Sequence, residues 1–151
     1  MKKILIVAAL LISTVGFAQS NKEDIDIIQS VYGKSKKDIV AGFINPTGDA
    51  FWVVYDEYEV KRKELGQKRV ALLEKYAANY GTMDDATTDA LMKEMTALGV
   101  KTDKLIETYY GKMKKASSVK AAAQFVQIET YLLSSVRVTI LENIPFIGEL
   151  D

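Results

Sequence analysis

Cysteine and histidine are both absent from the 151 residues. Without cysteine no disulfide can staple the fold, so stability has to come from packing. Without histidine the chain lacks the commonest general base and the commonest transition-metal ligand. Proline is nearly absent: Pro46 and Pro145 stand far apart, and the stretch between them suits long helices. An excess of one charge is missing too. The 20 basic residues are matched by 20 acidic ones, a balance that gives no support for nucleic-acid binding, which usually needs a basic face. No P-loop, nucleotide fingerprint, nucleophile elbow or zinc motif occurs. Past the N-terminal segment, no run approaches the about 20 apolar residues that span a bilayer.

What is present begins at the N-terminus. Lys2-Lys3 are followed by an almost wholly apolar run from Ile4 to Val15, then Gly16-Phe17-Ala18 before Gln19. That is the layout of a secretory signal peptide at residues 1–18. The expected mature chain, residues 19–151, is a single domain exported to the periplasm and soluble there. With no Cys after the cleavage site, a lipid anchor is not expected. Lys2 and Lys3 leave with the signal, so 18 basic residues face 20 acidic ones in the remainder.

Apolar residues then recur at helical spacing along the chain. Ser20 and Glu23 read as a capping box, and Ile25, Ile28 and Tyr32 follow. Gly33 interrupts, Ser35 restarts, and Ile39, Val40 and Phe43 form the next apolar face, ending near Ile44. Asn45-Pro46-Thr47-Gly48 is a turn, with Thr47 as the next cap. From about 49 to 79 the stripe is Phe51, Val54, Tyr55, Tyr58, Leu65, Leu72 and Tyr76. After the turn at Gly81, with Thr82 as cap, a third long helix carries Leu91, Met95, Leu98, Leu105, Tyr109 and Met113. Ser117 or Ser118 caps the last helix, whose face is Ala122, Phe125, Val126, Leu132, Leu133, Val136 and Ile140. The β-branched stretch 136–140 sits inside this helical pattern and is read as helix. The tail 146–150 is apolar enough to fold back. The expected class is all-α: long antiparallel amphipathic helices forming an elongated hairpin or bundle.

Three blocks carry a family likeness. Lys36-Lys37-Asp38-Ile39-Val40-Ala41 with Phe51-Trp52-Val53-Val54-Tyr55-Asp56-Glu57-Tyr58-Glu59 resembles the "FWPVYDEY" block of small bacterial periplasmic helical proteins. Residues 68–80 look like the second segment of those proteins. Lys120-Ala121-Ala122-Ala123-Gln124-Phe125-Val126-Gln127-Ile128-Glu129 is similar to their last, "KAARFYQIE". The chain thus resembles the Spy/CpxP-like family with LTxxQ-type turns, although its turns keep Thr47 and Thr82 without the Gln. The resemblance implies a helical hairpin that can dimerise into a cradle. It also implies ATP-independent, non-catalytic binding of unfolded or envelope proteins, or restraint of one envelope-stress sensor. No cofactor is implied, and the histidine-based metal binding of some relatives does not transfer.

Two constellations stand out. Phe51, Trp52, Tyr55 and Tyr58 cluster over two helical turns. Such a cluster is either core packed against the last helix or a surface that holds apolar client segments, and these four are the candidate client-binding residues. Arg62, Arg69 and Glu129 fall on or near packing faces. A charge there needs a partner, so Glu129 is expected to pair with Arg62 or Arg69 across the helix interface. Asp56, Glu57 and Glu59 read as a solvated face, and Asp84-Asp85 as a helix start. Met83, Met92, Met95 and Met113 read as core filling or an adaptable surface. The lysines from 101 to 120 read as a solvated face.

Overall fold

The computed structural model describes residues 25–46 and 48–149. They form five helices: α1 (Ile25–Tyr32), α2 (Lys36–Phe43), α3 (Ala50–Asn79), α4 (Asp85–Ala116) and α5 (Val119–Asn143), with a 3-10 turn at Tyr80–Thr82. No strand occurs among the described residues, and the fold is all-α. The signal peptide, the Ser20–Glu23 capping box and the Thr47 cap lie outside the described residues.

The breaks follow local chemistry. Gly33 has φ +62°, a left-handed conformation that costs other residues a clash with the following carbonyl, so α1 stops there. Ser35 then caps α2: its hydroxyl accepts from the Asp38 amide at 3.2 Å and donates to the Asp38 carboxylate at 2.6 Å. A second positive φ, +77° at Gly48, turns the chain into α3. At the next turn the expected cap is displaced by two residues. Asp84, not Thr82, accepts from the Thr87 amide at 2.8 Å, while the Thr82 hydroxyl donates back to the Asn79 carbonyl. Ser118, not Ser117, caps α5, accepting from the Ala121 amide. Residues 136–140 are helical, and Val136 is buried in the core. Tertiary packing overrides their β-branched character.

α3, with 30 residues, and α4, with 32, are each about 45–48 Å long at 1.5 Å per residue. They form an antiparallel hairpin in a constant register. Lys112 reaches Glu57 at 3.3 Å at one end, and Lys75 reaches Glu94 at 2.6 Å at the other. Glu57 to Lys75 is eighteen residues along α3, and Glu94 to Lys112 is eighteen along α4. No slip accumulates between them. These pairs are exposed and mark the register more than they stabilise it.

α5 returns antiparallel to α4 and completes a three-helix body. Its end is tied to α3. The Tyr76 hydroxyl donates to the Pro145 carbonyl at 2.6 Å, and Tyr80 donates to the Phe146 carbonyl at 2.7 Å. The tail therefore folds back through its backbone. Its side chains do not follow: Phe146 and Ile147 are exposed.

The main core fills the end of the body where α3 starts and α4 ends. Phe51, Tyr55, Tyr58, Ile106, Tyr109, Met113, Phe125, Ile128, Leu132 and Val136 make it up, and Ile28, Val40 and Ile44 close it from α1 and α2. Burying each large side chain contributes about 1.5–3 kcal/mol. α1 and α2 have eight residues each, too short to persist alone. They are helical because they lie on α5 and cover this core. Among the described residues no helix is long and apolar enough to cross a membrane.

Candidate functional site

The aromatic cluster singled out in the sequence lies inside the protein. Phe51, Tyr55 and Tyr58 have no exposed surface, and Trp52 is half-buried. Helical spacing puts Tyr55 and Tyr58 against α5, with Phe51 and Trp52 packed beside Tyr55. The Phe125 ring stands edge-on to Tyr58 at 4.9 Å and to Tyr55 at 6.4 Å, while Trp52 meets Phe51 edge-on at 5.1 Å. Edge-on rings are the favoured arrangement for aromatic pairs. As folded, Phe51, Tyr55 and Tyr58 are core and Trp52 packs against its edge, so of the two readings open in the sequence their burial fits core packing. The spacing that signalled them is the same for either role.

Beside the rings lies a cluster of buried charge. Glu129 of α5 is wholly buried. One of its oxygens, Oε2, accepts from the Lys36 ammonium at 2.7 Å and from the Tyr58 hydroxyl at 2.8 Å. Lys36, at the first turn of α2, is itself buried and also donates to Glu59 of α3 at 2.6 Å. Arg62, one turn on from Glu59, donates its Nε to that carboxylate at 3.0 Å. The Lys36 ammonium lies 5.1 Å from the centre of the Tyr58 ring and 5.9 Å from that of Tyr55, within cation–π range. One lysine thus binds acids from two long helices.

Two features go beyond the sequence reading. Lys36 is a close ion-pair partner of Glu129, and Glu59 leaves the solvated acidic run to stand part-buried in the cluster. Arg62 is buried at the cluster, whereas Arg69 stands two turns further along α3, half-buried. Lys36 escaped the sequence reading, yet a signal for it exists. It lies four residues before Val40, on the same helical face, ahead of the buried Ile44 that follows the helix. The expected face residue Phe43 points outward instead and is 63% exposed.

Burial sets the electrostatics. It pushes the Glu129 carboxyl above the ordinary value, and Lys36 and the Tyr58 hydroxyl only partly offset this. Burial also acts to raise Glu59, but Lys36 and Arg62 outweigh it and hold that carboxyl low. The Tyr58 hydroxyl is raised by burial and then by the neighbouring Glu129 charge. Chemically, the cluster is an ion-pair knot between three helices in which Glu129 Oε1 stays buried without a hydrogen-bond partner among the described residues. The surface grooves are lined by other residues. Among the described residues no group of three or more acids is placed to hold a metal ion. Met113 is core, while Met92 and Met95 lie partly exposed.

The outer face of α5 is of another kind. Between Ala121 and Val136 its sole charged residue is Glu129, which points inward. The outward residues are Ala123, Gln127, Thr130, Tyr131 and Ser134. Two apolar grooves flank this strip. One, of about 590 Å³, runs between α4 and α5 with Ile106, Tyr110, Ala123 and Val126 in it and Asp103 and Glu107 on its rim. The other, of about 320 Å³, lies between Phe43 of α2 and Gln124, Ile128 and Tyr131 of α5. Gln127 lines both. Tyr131 is 57% exposed. Sequence reasoning missed this strip because its signal is an absence of charge.

Compared with family models, with curated proteins and with solved structures, the chain gives no match.

Proposed function

We propose that this protein is an exported, periplasmic protein-binding factor, chaperone-like or stress-related, that works without ATP and without covalent chemistry. The observation that carries this reading is the charge-free outer strip of α5 between two apolar grooves. Protein-binding surfaces are distinguished by depletion of charge at their centre and by exposed aromatic residues, and large apolar patches rimmed by polar groups mark interaction sites. Tyr131 and Phe43 supply the aromatic contacts, Gln127 and Thr130 supply adaptable hydrogen bonds, and Asp103 and Glu107 keep the rim hydrated.

The test is light scattering of two unrelated denatured proteins as they aggregate, with and without the purified protein. Suppression near stoichiometric amounts without ATP, lost in the Gln127→Lys variant, is the expected result. No suppression of either client sinks the chaperone reading. The second reading is a dedicated partner or inhibitor of one envelope sensor. The confinement of the strip to one side of the helical body favours it. Capture of one folded envelope protein, dependent on Gln127 and Tyr131, is its expected signature.

A further inference from the structure

α2 is seated as a ligand would be. It is eight residues long and bounded by two glycines with positive φ, Gly33 and Gly48. It presents two buried side chains one turn apart, Lys36 and Val40, and the extended residue after it, Ile44, is buried as well. Lys36 enters between α3 and α5 to meet Glu59 and Glu129, while Val40 and Ile44 join the core around Phe51, Tyr55, Phe125 and Ile128. At the edge, the Lys37 ammonium pairs with Asp56 at 2.5 Å and lies 5.8 Å from the centre of the Trp52 ring. The seam beneath α2 therefore has the parts of a helix-binding groove: an apolar floor, aromatic walls and two acids at one end.

We propose that the seam between α3 and α5 is a helix-binding site that the chain's own α2 occupies. A partner helix carrying a Lys or Arg followed by aliphatic residues four and eight positions later takes the place of α2. The acids define the occupant. An apolar helix without a cation would take the ammonium away from buried Glu129 and leave Glu59 to Arg62 alone, and buried charge that has lost its partner is strongly unfavourable. The short connections keep α2 at a high effective concentration, of the order of millimolar. Displacement thus selects partners that match the pattern well. Opening the seam also uncovers Tyr55 and Tyr58, so the aromatic residues become a binding surface in the displaced state. The site adjoins the outer strip of α5, since Phe43 of α2 and Ile128 line one of the grooves that flank it, but its floor and its acids are other residues.

The experiment uses the full chain and a fluorescent peptide of its residues 34–46, followed by anisotropy. Lys36→Met and Val40→Ala each weaken the seated α2, the second without disturbing the charges. Both variants are expected to bind the peptide about tenfold more tightly than the unaltered chain does, because the intramolecular competitor is weakened. The same peptide with Gln in place of Lys36 is expected not to bind. The inference is overturned if a variant with undiminished helical circular dichroism binds the peptide no better than the unaltered chain. Equal binding of the Gln peptide overturns it as well. Should Lys36→Met fail to fold, Val40→Ala decides alone. Aggregation suppression measured on the same samples separates the two proposals. Peptide binding without suppression removes the outer-strip reading and keeps this one, and suppression without peptide binding does the reverse.

Discussion

The Lys36 ammonium lies 2.7 Å from Glu129 Oε2, and water reaches neither side chain. Ninety-three residues separate them in sequence, so the pair fixes where α2 lies on α5. Removing one member of a buried pair strands the other charge, at a cost of about 3–5 kcal/mol, whereas replacing both with apolar groups of similar size is often neutral. Lys36→Met should therefore lower the urea midpoint sharply, and Lys36→Met with Glu129→Leu should recover most of the loss. A double variant less stable than the sum of the two single variants contradicts this account of the pair.

The pH dependence of that loss follows from the two carboxyls. Glu129 is raised by burial despite Lys36, and Glu59 is held low by Lys36 and Arg62 against burial. A raised carboxyl gives stability that is present in acid and is lost as pH climbs through its folded value. A lowered one gives stability that is present above the unfolded value and is lost as pH falls through its folded value. Lys36→Met drives Glu129 further up and releases Glu59 upward. Both changes remove stability at neutral pH and neither does so in acid. The gap between variant and unaltered protein should be wide at about pH 7 and narrow at about pH 4, near the ordinary carboxyl value. Urea midpoints at the two pH values measure it, and a gap that widens in acid refutes the assignment.

The helices were legible in the sequence because apolar spacing reports which face is buried. Phe51, Tyr55 and Tyr58 recur at helical steps, and so do Phe125, Leu132 and Val136. The breaks at Gly33 and Gly48 were equally readable, since a left-handed turn favours glycine. Two features were not readable. Spacing puts Tyr55 on a buried face but does not say whether that face meets the chain's own α5 or a partner. Lys36 lies on an apolar face through a position that hydrophobicity scores as solvent. Its acids come from residues 59 and 129, so only the fold brings the three together. The same holds for the caps: Thr82 and Asp84 are both good capping residues, and the two differ only in where the 3-10 turn ends.

Tyr76 offers a test of how the far end is held. Its hydroxyl is buried and donates to the Pro145 carbonyl at 2.6 Å, whereas the neighbouring Tyr80 hydroxyl makes its bond to Phe146 in solvent. Leaving a buried acceptor unsatisfied costs about 1–3 kcal/mol. Tyr76→Phe should lose about that much in denaturant unfolding, and Tyr80→Phe should lose less. Equal losses would mean that the carbonyl at Pro145 is reached by water once the hydroxyl is gone.

Gly33 separates local from global stability. Its φ of +62° is the left-handed conformation, and a side chain there costs about 1–2 kcal/mol. A Cβ added at Gly33 meets nothing within 4 Å, so the penalty of Gly33→Ala is confined to the backbone. α1 and α2 are short and lie on the surface of the three-helix body, and such elements open without the whole protein unfolding. Hydrogen exchange of the variant should therefore quicken in α1 and α2 while the amides of α4 keep their protection. Faster exchange throughout α4 would show instead that the two short helices and the body unfold as one unit.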